Sequence, residues 1–132
     1  MLLTRKSEYA LLSLISIAKN KEPKNVDVLS KELDISKSFL AKIMQNLAKH
    51  ELVISHRGVN GGFVLKKPLD EITILEIVEA AEERVPMVFE CAPSLQSCPN
   101  NKAKSCIIWP LLNNLQFKVN DFLSKLTLKD IA

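Results

Sequence analysis

Three thiols fall in one short stretch. Cys91, Cys98 and Cys106 are all the cysteines of the 132-residue chain, with six residues between the first pair and seven between the second. Pro93, Pro99, Asn100 and Asn101 lie among them, and apolar periodicity stops there. An irregular loop can fold round a compact centre and aim soft thiolates inward, which suits an iron–sulfur or other metal centre. Three cysteines cannot all pair within one chain, so a purely structural disulfide framework does not fit. One disulfide with a free thiol, a redox thiol switch, or cysteines with no special role stay open. The closely spaced C-x2-C pairs usual for structural zinc are absent.

A second chemistry is written in the charges. Residues 1–67 hold 12 Lys+Arg against 6 Asp+Glu, and residues 68–132 hold 6 against 9. A net +6 half beside a net −3 half predicts that the first meets a polyanion, although a solvated lysine-rich face would look the same. The candidate contacts sit on a helix and a hairpin. Asn25 or Asp27 caps a short helix ending near Leu33, and Asp34-Ile35-Ser36 makes a brief turn. Ser36 then caps a helix over 37–50, with Leu40, Ile43 and Leu47 facing inward. Ser36, Lys37, Ser38 and Lys42 are left at its start and on its polar face. Two helices in this relation suit a helix-turn-helix whose second member enters a DNA major groove, or equally an ordinary αα-hairpin.

The next residues favour DNA. Strand-like 52–56 and 63–65 flank Arg57-Gly58-Val59-Asn60-Gly61-Gly62, and Asn-Gly between such runs is a strong hairpin signal. A hairpin directly after a recognition helix is a wing. Arg57 at its root can enter a minor groove, and Asn60 lies at its turn. The loop lacks the G-x-x-x-x-G-K-[ST] of a phosphate-cradling enzyme.

The positioning elements follow. A first helix spans 4–20, with Tyr9, Leu12 and Ser16 on a broad face with Leu11, Leu14, Ile15 and Ala18. Thr73 and Glu76 form a capping box opening a helix to about Glu83. A last helix covers about 107–125, regular from Pro110. Its Ile108, Leu112, Leu115, Val119, Phe122 and Leu126 step by 4, 3, 4, 3 and 4, a seam that suits a partner helix, most simply that of a second subunit, with packing inside one chain as the alternative. Thr127 and Asp130 repeat the capping pattern. The fold class expected is mainly α with a small β-hairpin wing, a winged helix-turn-helix plus a long dimerisation helix. The division expected is 1–67 for DNA binding and 68–132 for the cysteine loop and dimerisation. A start of MLLTRK without an apolar run and the absence of any long apolar tract predict a cytoplasmic protein with no membrane partner. No nucleophile–base pairing points to an enzyme.

The order of these parts resembles the winged-helix transcription regulators of the IscR, NsrR and RirA type, also called the Rrf-two family. The matching text is L-T-R-K-S-E-Y-A-L, the D-I-S turn, L-A-K-H-E-L-V, R-G-V-N-G-G-F, E-I-T-I-L-E-I-V and the closing L-T-L-K-D-I, spread over essentially the whole chain. The resemblance implies a homodimer on a palindromic operator of double-stranded DNA, sensing through an iron–sulfur cluster, [2Fe-2S] or [4Fe-4S]. It places Cys91, Cys98 and Cys106 as cluster ligands. The cysteine gaps here are longer than is usual in the family, and Trp109 stands where IscR-like members have a histidine. NsrR-like members take a carboxylate from the partner subunit's first helix, and Glu8 matches that position. The alternative is a cluster-free regulator of the same fold, switched by thiol oxidation or a protein partner.

Overall fold

The computed structural model describes residues 3–89, 92–94, 96 and 105–132. Its elements run α1 (Arg5–Ala18), α2 (Val26–Leu33), α3 (Lys37–Lys49), β1 (Val53–His56), β2 (Gly62–Leu65), a 3-10 turn at Leu69–Glu71, α4 (Ile74–Glu82), α5 (Trp109–Lys125) and α6 (Leu128–Ile131). This is the expected class, mainly helical with one two-stranded antiparallel hairpin.

Side-chain caps explain where the helices start. Thr4 accepts from the Lys6 N–H, Asn25 from Val28 and Ser36 from Phe39, each meeting a backbone donor that has no partner inside its helix. The Thr73–Glu76 capping box forms, with the Glu76 N–H on the Thr73 hydroxyl at 3.1 Å and the Thr73 N–H on the Glu76 carboxylate at 3.0 Å. Helix ends differ. Asp34 and Glu83 close α2 and α4 in the left-handed region, and Glu51 adopts it just past α3, at φ 54°, 58° and 62° respectively. Residues with a side chain adopt that conformation only at a cost, and glycine is the usual occupant.

One core joins the helices. Leu14, Leu29, Leu40, Met44, Leu47, Ile77, Val78 and Leu128 are fully buried in it. Helix α4 packs on α1, α3 and α5, and α2 packs on α3. On α1 the buried stripe is Ala10, Leu14 and Ile17 with Ser7, Ser13 and Ser16, whereas Leu12, expected on the inner face, points outward. Small serines let α1 approach its neighbours closely, so the stripe is set by volume as well as polarity. Near the end of α4, Glu82 accepts from the Thr4 N–H at 3.2 Å, the Ser7 hydroxyl at 2.8 Å and the Thr4 hydroxyl. Burial pushes this carboxyl up, but those hydrogen bonds outweigh it and hold it below the ordinary glutamate range.

The chain's end returns to α4. Ile74 N–H donates to Leu126 O at 2.8 Å and Leu128 N–H to Ile72 O at 2.9 Å, so α6 closes the bottom of the same core. Among the described residues no helix is long and apolar enough to cross a membrane.

Candidate nucleic-acid interface and cysteine loop

Helix α3 separates its faces cleanly. Leu40, Ile43, Met44 and Leu47 are buried, while Ser38, Lys42, Gln45 and Lys49 are exposed. Ser36 and Lys37, at its N-terminus, are exposed too. The first turn is braced: Lys37 Nζ pairs with Asp27 of α2 at 2.5 Å, and the hydrogen bond holds the Asp27 carboxyl below its usual range. Tyr9 of α1 meets Phe39 edge to face, with ring centroids 5.6 Å apart. The start of the helix is thus fixed from two sides while its polar edge stays open.

The hairpin pairs Val53 with Leu65 through to His56 with Gly62. Arg57, Val59 and Asn60 are exposed on the connection between the strands. Glycine is required at two positions there. A Cβ at Gly61 would lie 2.4 Å from His56 O, and one at Gly62 would lie 2.5 Å from the Lys24 carbonyl carbon. The second clash marks something the sequence hid. Lys24 adds a one-residue strand to the hairpin, donating to Phe63 O at 3.2 Å and accepting from Phe63 N–H at 2.7 Å. A single extended residue between Pro23 and a helix cap has no periodicity to reveal it. Asn60, Gly61, Val59 and Val28 line a cavity of about 380 Å³ between the hairpin and the start of α2.

His50 turns its Nδ1 to Asn46 O at 2.9 Å, a helix-end contact, and His56 is exposed on β1. Both histidines therefore lie away from the cysteine segment in the chain.

Of the three cysteines, Cys91 and Cys98 lie outside the described residues. Cys106 is half-buried as a free thiol, three residues before α5. Helix α5 also holds the segment leading into the loop. The Gln116 amide, buried, donates to Pro86 O at 2.6 Å and accepts from Val88 N–H at 2.9 Å. Asn113 donates to Ala92 O at 2.7 Å. The start of the cysteine stretch is thereby tied to the first half of α5, and its end at Cys106 runs into that same helix. Nothing in the sequence marks these amides, because a polar residue beside an apolar seam reads as solvent-facing. Three thiolates are a fitting donor set for an iron–sulfur centre. Among the described residues no group of three His, Cys, Asp or Glu side chains is gathered for a metal. Glu8 sits in the first turn of α1, paired with Arg5 at 2.7 Å and exposed.

The seam on α5 divides. Leu112, Val119 and Leu126 are half-buried within the chain, beside buried Gln116 and Leu123. Ile108, Leu115 and Phe122 are 56%, 46% and 64% exposed, with Leu111 on the same edge at 67%.

Residues 3–132 match the Rrf2 family, described as iron-dependent transcriptional regulators. The chain belongs to the Rrf2 family. Among its relatives, the transcriptional regulator IscR of Sodalis glossinidius is 30% identical over 134 residues, covering all of this chain and 79% of that protein. Among solved structures, CymR, the global cysteine regulator of B. subtilis, superposes with a TM-score of 0.75 at 26% identity, covering 98% of this chain and 95% of CymR. The IscR of T. potens, at 21% identity, shares the fold with a TM-score of 0.72 over 98% of this chain and 84% of that one. This Rrf2-family chain is thus a DNA-binding transcription regulator and not an enzyme, and its helix-turn-helix and hairpin are those of a winged-helix fold.

Proposed function

We propose that the protein is a homodimeric regulator, working in the cytoplasm, whose affinity for a double-stranded operator is set by an iron–sulfur cluster on Cys91, Cys98 and Cys106. The observation that carries this reading is the attachment of the cysteine segment to α5, the helix whose apolar edge is left uncovered in the single chain. A change in the loop then bears on the surface through which two copies meet. Two recognition helices must match the spacing of two half-sites, so a small change in how the copies meet alters DNA affinity strongly.

The division of labour is 1–67 for reading DNA and 68–132 for sensing and pairing. Ser36, Lys37, Ser38 and Lys42 meet the major groove and its phosphates, and Arg57 with Asn60 meets the adjacent groove. Lys37 can reach a phosphate only by leaving Asp27 or by sharing its ammonium protons with both. When bound, the cluster supplies a centre whose ligation responds to iron supply or oxidants. The three thiols hold it, and Glu8, reaching across from the partner subunit, completes the set. Glu8 can do so either by releasing Arg5 or through the carboxylate oxygen that Arg5 does not hold.

The test is anaerobic purification followed by an absorption spectrum, iron and acid-labile sulfide counts, and operator binding before and after cluster removal. Brown protein with cluster-dependent affinity is the expected result, and Glu8→Ala should keep iron while altering its spectrum. Equal affinity with and without cluster overturns the reading. The half-buried free thiol of Cys106 favours one second reading, a cluster-free regulator switched by thiol oxidation or by a protein partner. Colourless protein whose operator affinity falls on oxidation and returns with a thiol reductant would establish that switch.

A further inference from the structure

The segment between α1 and α2 carries a polar cluster that the DNA reading leaves unused. Lys24 Nζ lies 2.7 Å from the Ser16 hydroxyl of α1 and 2.7 Å from the Glu32 carboxylate of α2. Ser16 donates to the other Glu32 oxygen at 2.7 Å, closing a three-membered ring of contacts. The Lys24 side chain is only 12% exposed. A lysine drawn out of water and held by a carboxylate is not reaching for a phosphate. Its backbone, meanwhile, is the added strand of the hairpin, bonded both ways to Phe63 and abutting Gly62.

The connections continue to the recognition helix. Asn25, the next residue, caps α2, and Asp27 in its first turn holds Lys37 at the start of α3. Wing and recognition helix therefore both attach to α2, the wing through Lys24. A hairpin of two four-residue strands has little stability of its own, so its direction relative to α3 must come from such attachments.

We propose that Lys24 is a positioning residue for DNA recognition, fixing the direction of the wing against the recognition helix without touching DNA. This rests on the reading of Arg57 as a DNA contact. Operator binding by wild type, Lys24→Met, Arg57→Ala and the double variant tests it, with Glu32→Gln as a second route to the same cluster that keeps the lysine. Lys24→Met should bind about tenfold more weakly, a mid-range coupling for linked sites, and should lose much less when Arg57 is already alanine, since only Asn60 is then left on the wing to be misplaced. Glu32→Gln should also bind more weakly although it adds a unit of positive charge, which by electrostatics alone would strengthen binding. Lys24→Arg should restore most of the affinity.

Each contrary outcome is distinct. Wild-type binding by both Lys24→Met and Glu32→Gln, with Arg57→Ala still impaired, overturns the positioning role alone. Equally weakened binding by Lys24→Met in both Arg57 backgrounds, with stronger binding by Glu32→Gln, makes Lys24 a phosphate contact and also overturns it. Wild-type affinity for Arg57→Ala overturns the reading of the wing and the role of Lys24 with it.

Discussion

Helices α3 and α5 are both amphipathic, yet one is complete within the chain and the other is not. Every apolar position on the inner edge of α3 is buried, and what it shows to solvent is serine, lysine and glutamine. Helix α5 buries only Gln116 and Leu123 fully and leaves Ile108, Leu111, Leu115 and Phe122 uncovered along one edge. Apolar area left in water is a free energy of association not yet realised. The difference teaches what kind of surface each helix suits, and the proposed function assigns them accordingly: a polyanion to α3, another apolar face to α5. The same amphipathic pattern in sequence served two ends, and only the burial of each edge tells them apart.

The largest effect that tests this contrast is Leu115→Glu. A carboxylate placed on this uncovered edge of α5 would lose its water in both copies when they pair, at a cost of several kcal/mol each. Light scattering at micromolar concentration should find dimers for wild type and monomers for the variant. Folded monomers from wild type would erase the distinction between the helices. The matching change on α3 is Leu47→Ala. It should lower the stability of the fold by about 2–5 kcal/mol in denaturant titrations, since Leu47 is fully buried within the chain, while leaving subunit association intact. Loss of association there, with unchanged stability, would reverse the assignment of the two faces.

Arg57→Ala comes next, at about 1–3 kcal/mol of operator affinity if the guanidinium reads base edges or a narrow groove. Lys42→Ala should instead weaken binding alike on all sequences and reduce the salt slope by about one unit. The smallest effect concerns the tie between α1 and α4. Glu82 is held below the ordinary glutamate range by Thr4 and Ser7 against the opposing effect of burial. A depressed carboxyl adds stability above its unfolded pKa and loses it as pH falls through its folded one. Wild type should therefore shed more stability than Glu82→Gln as pH drops from neutrality through the glutamate range. Parallel curves for the two proteins would remove Glu82 from that tie.

Much of this was legible beforehand because local chemistry decided it. Thr73 with Glu76, Ser36, and Asn60-Gly61 between β-type runs are short-range signals, and the structure forms a cap, a cap and a hairpin where they lie. Pro110 stands at the first turn of α5, where its missing N–H costs nothing. Long-range polar contacts were not legible. Lys24 against Phe63, Glu82 against Thr4 and Gln116 against Pro86 join residues 39, 78 and 30 positions apart, and no spacing rule reaches across such gaps. The α5 seam was half legible. Its spacing showed an apolar edge, but the residues that the chain covers itself depend on where α4 lies.

The three left-handed helix ends have a consequence for evolution in the laboratory. All three glycines of the chain are in the wing, and Asp34, Glu51 and Glu83 occupy the turns where glycine relieves backbone strain. Each also sets a carboxylate at the negative end of a helix dipole, where a cation is favoured. Glu51 recovers part of this through Lys66 at 3.0 Å. The molecule thus holds unused thermostability at three sites distant from one another in sequence. Replacement of Asp34 or Glu83 by glycine or asparagine is an open route to a sturdier scaffold, one that leaves every proposed DNA-reading and sulfur-bearing side chain as it stands.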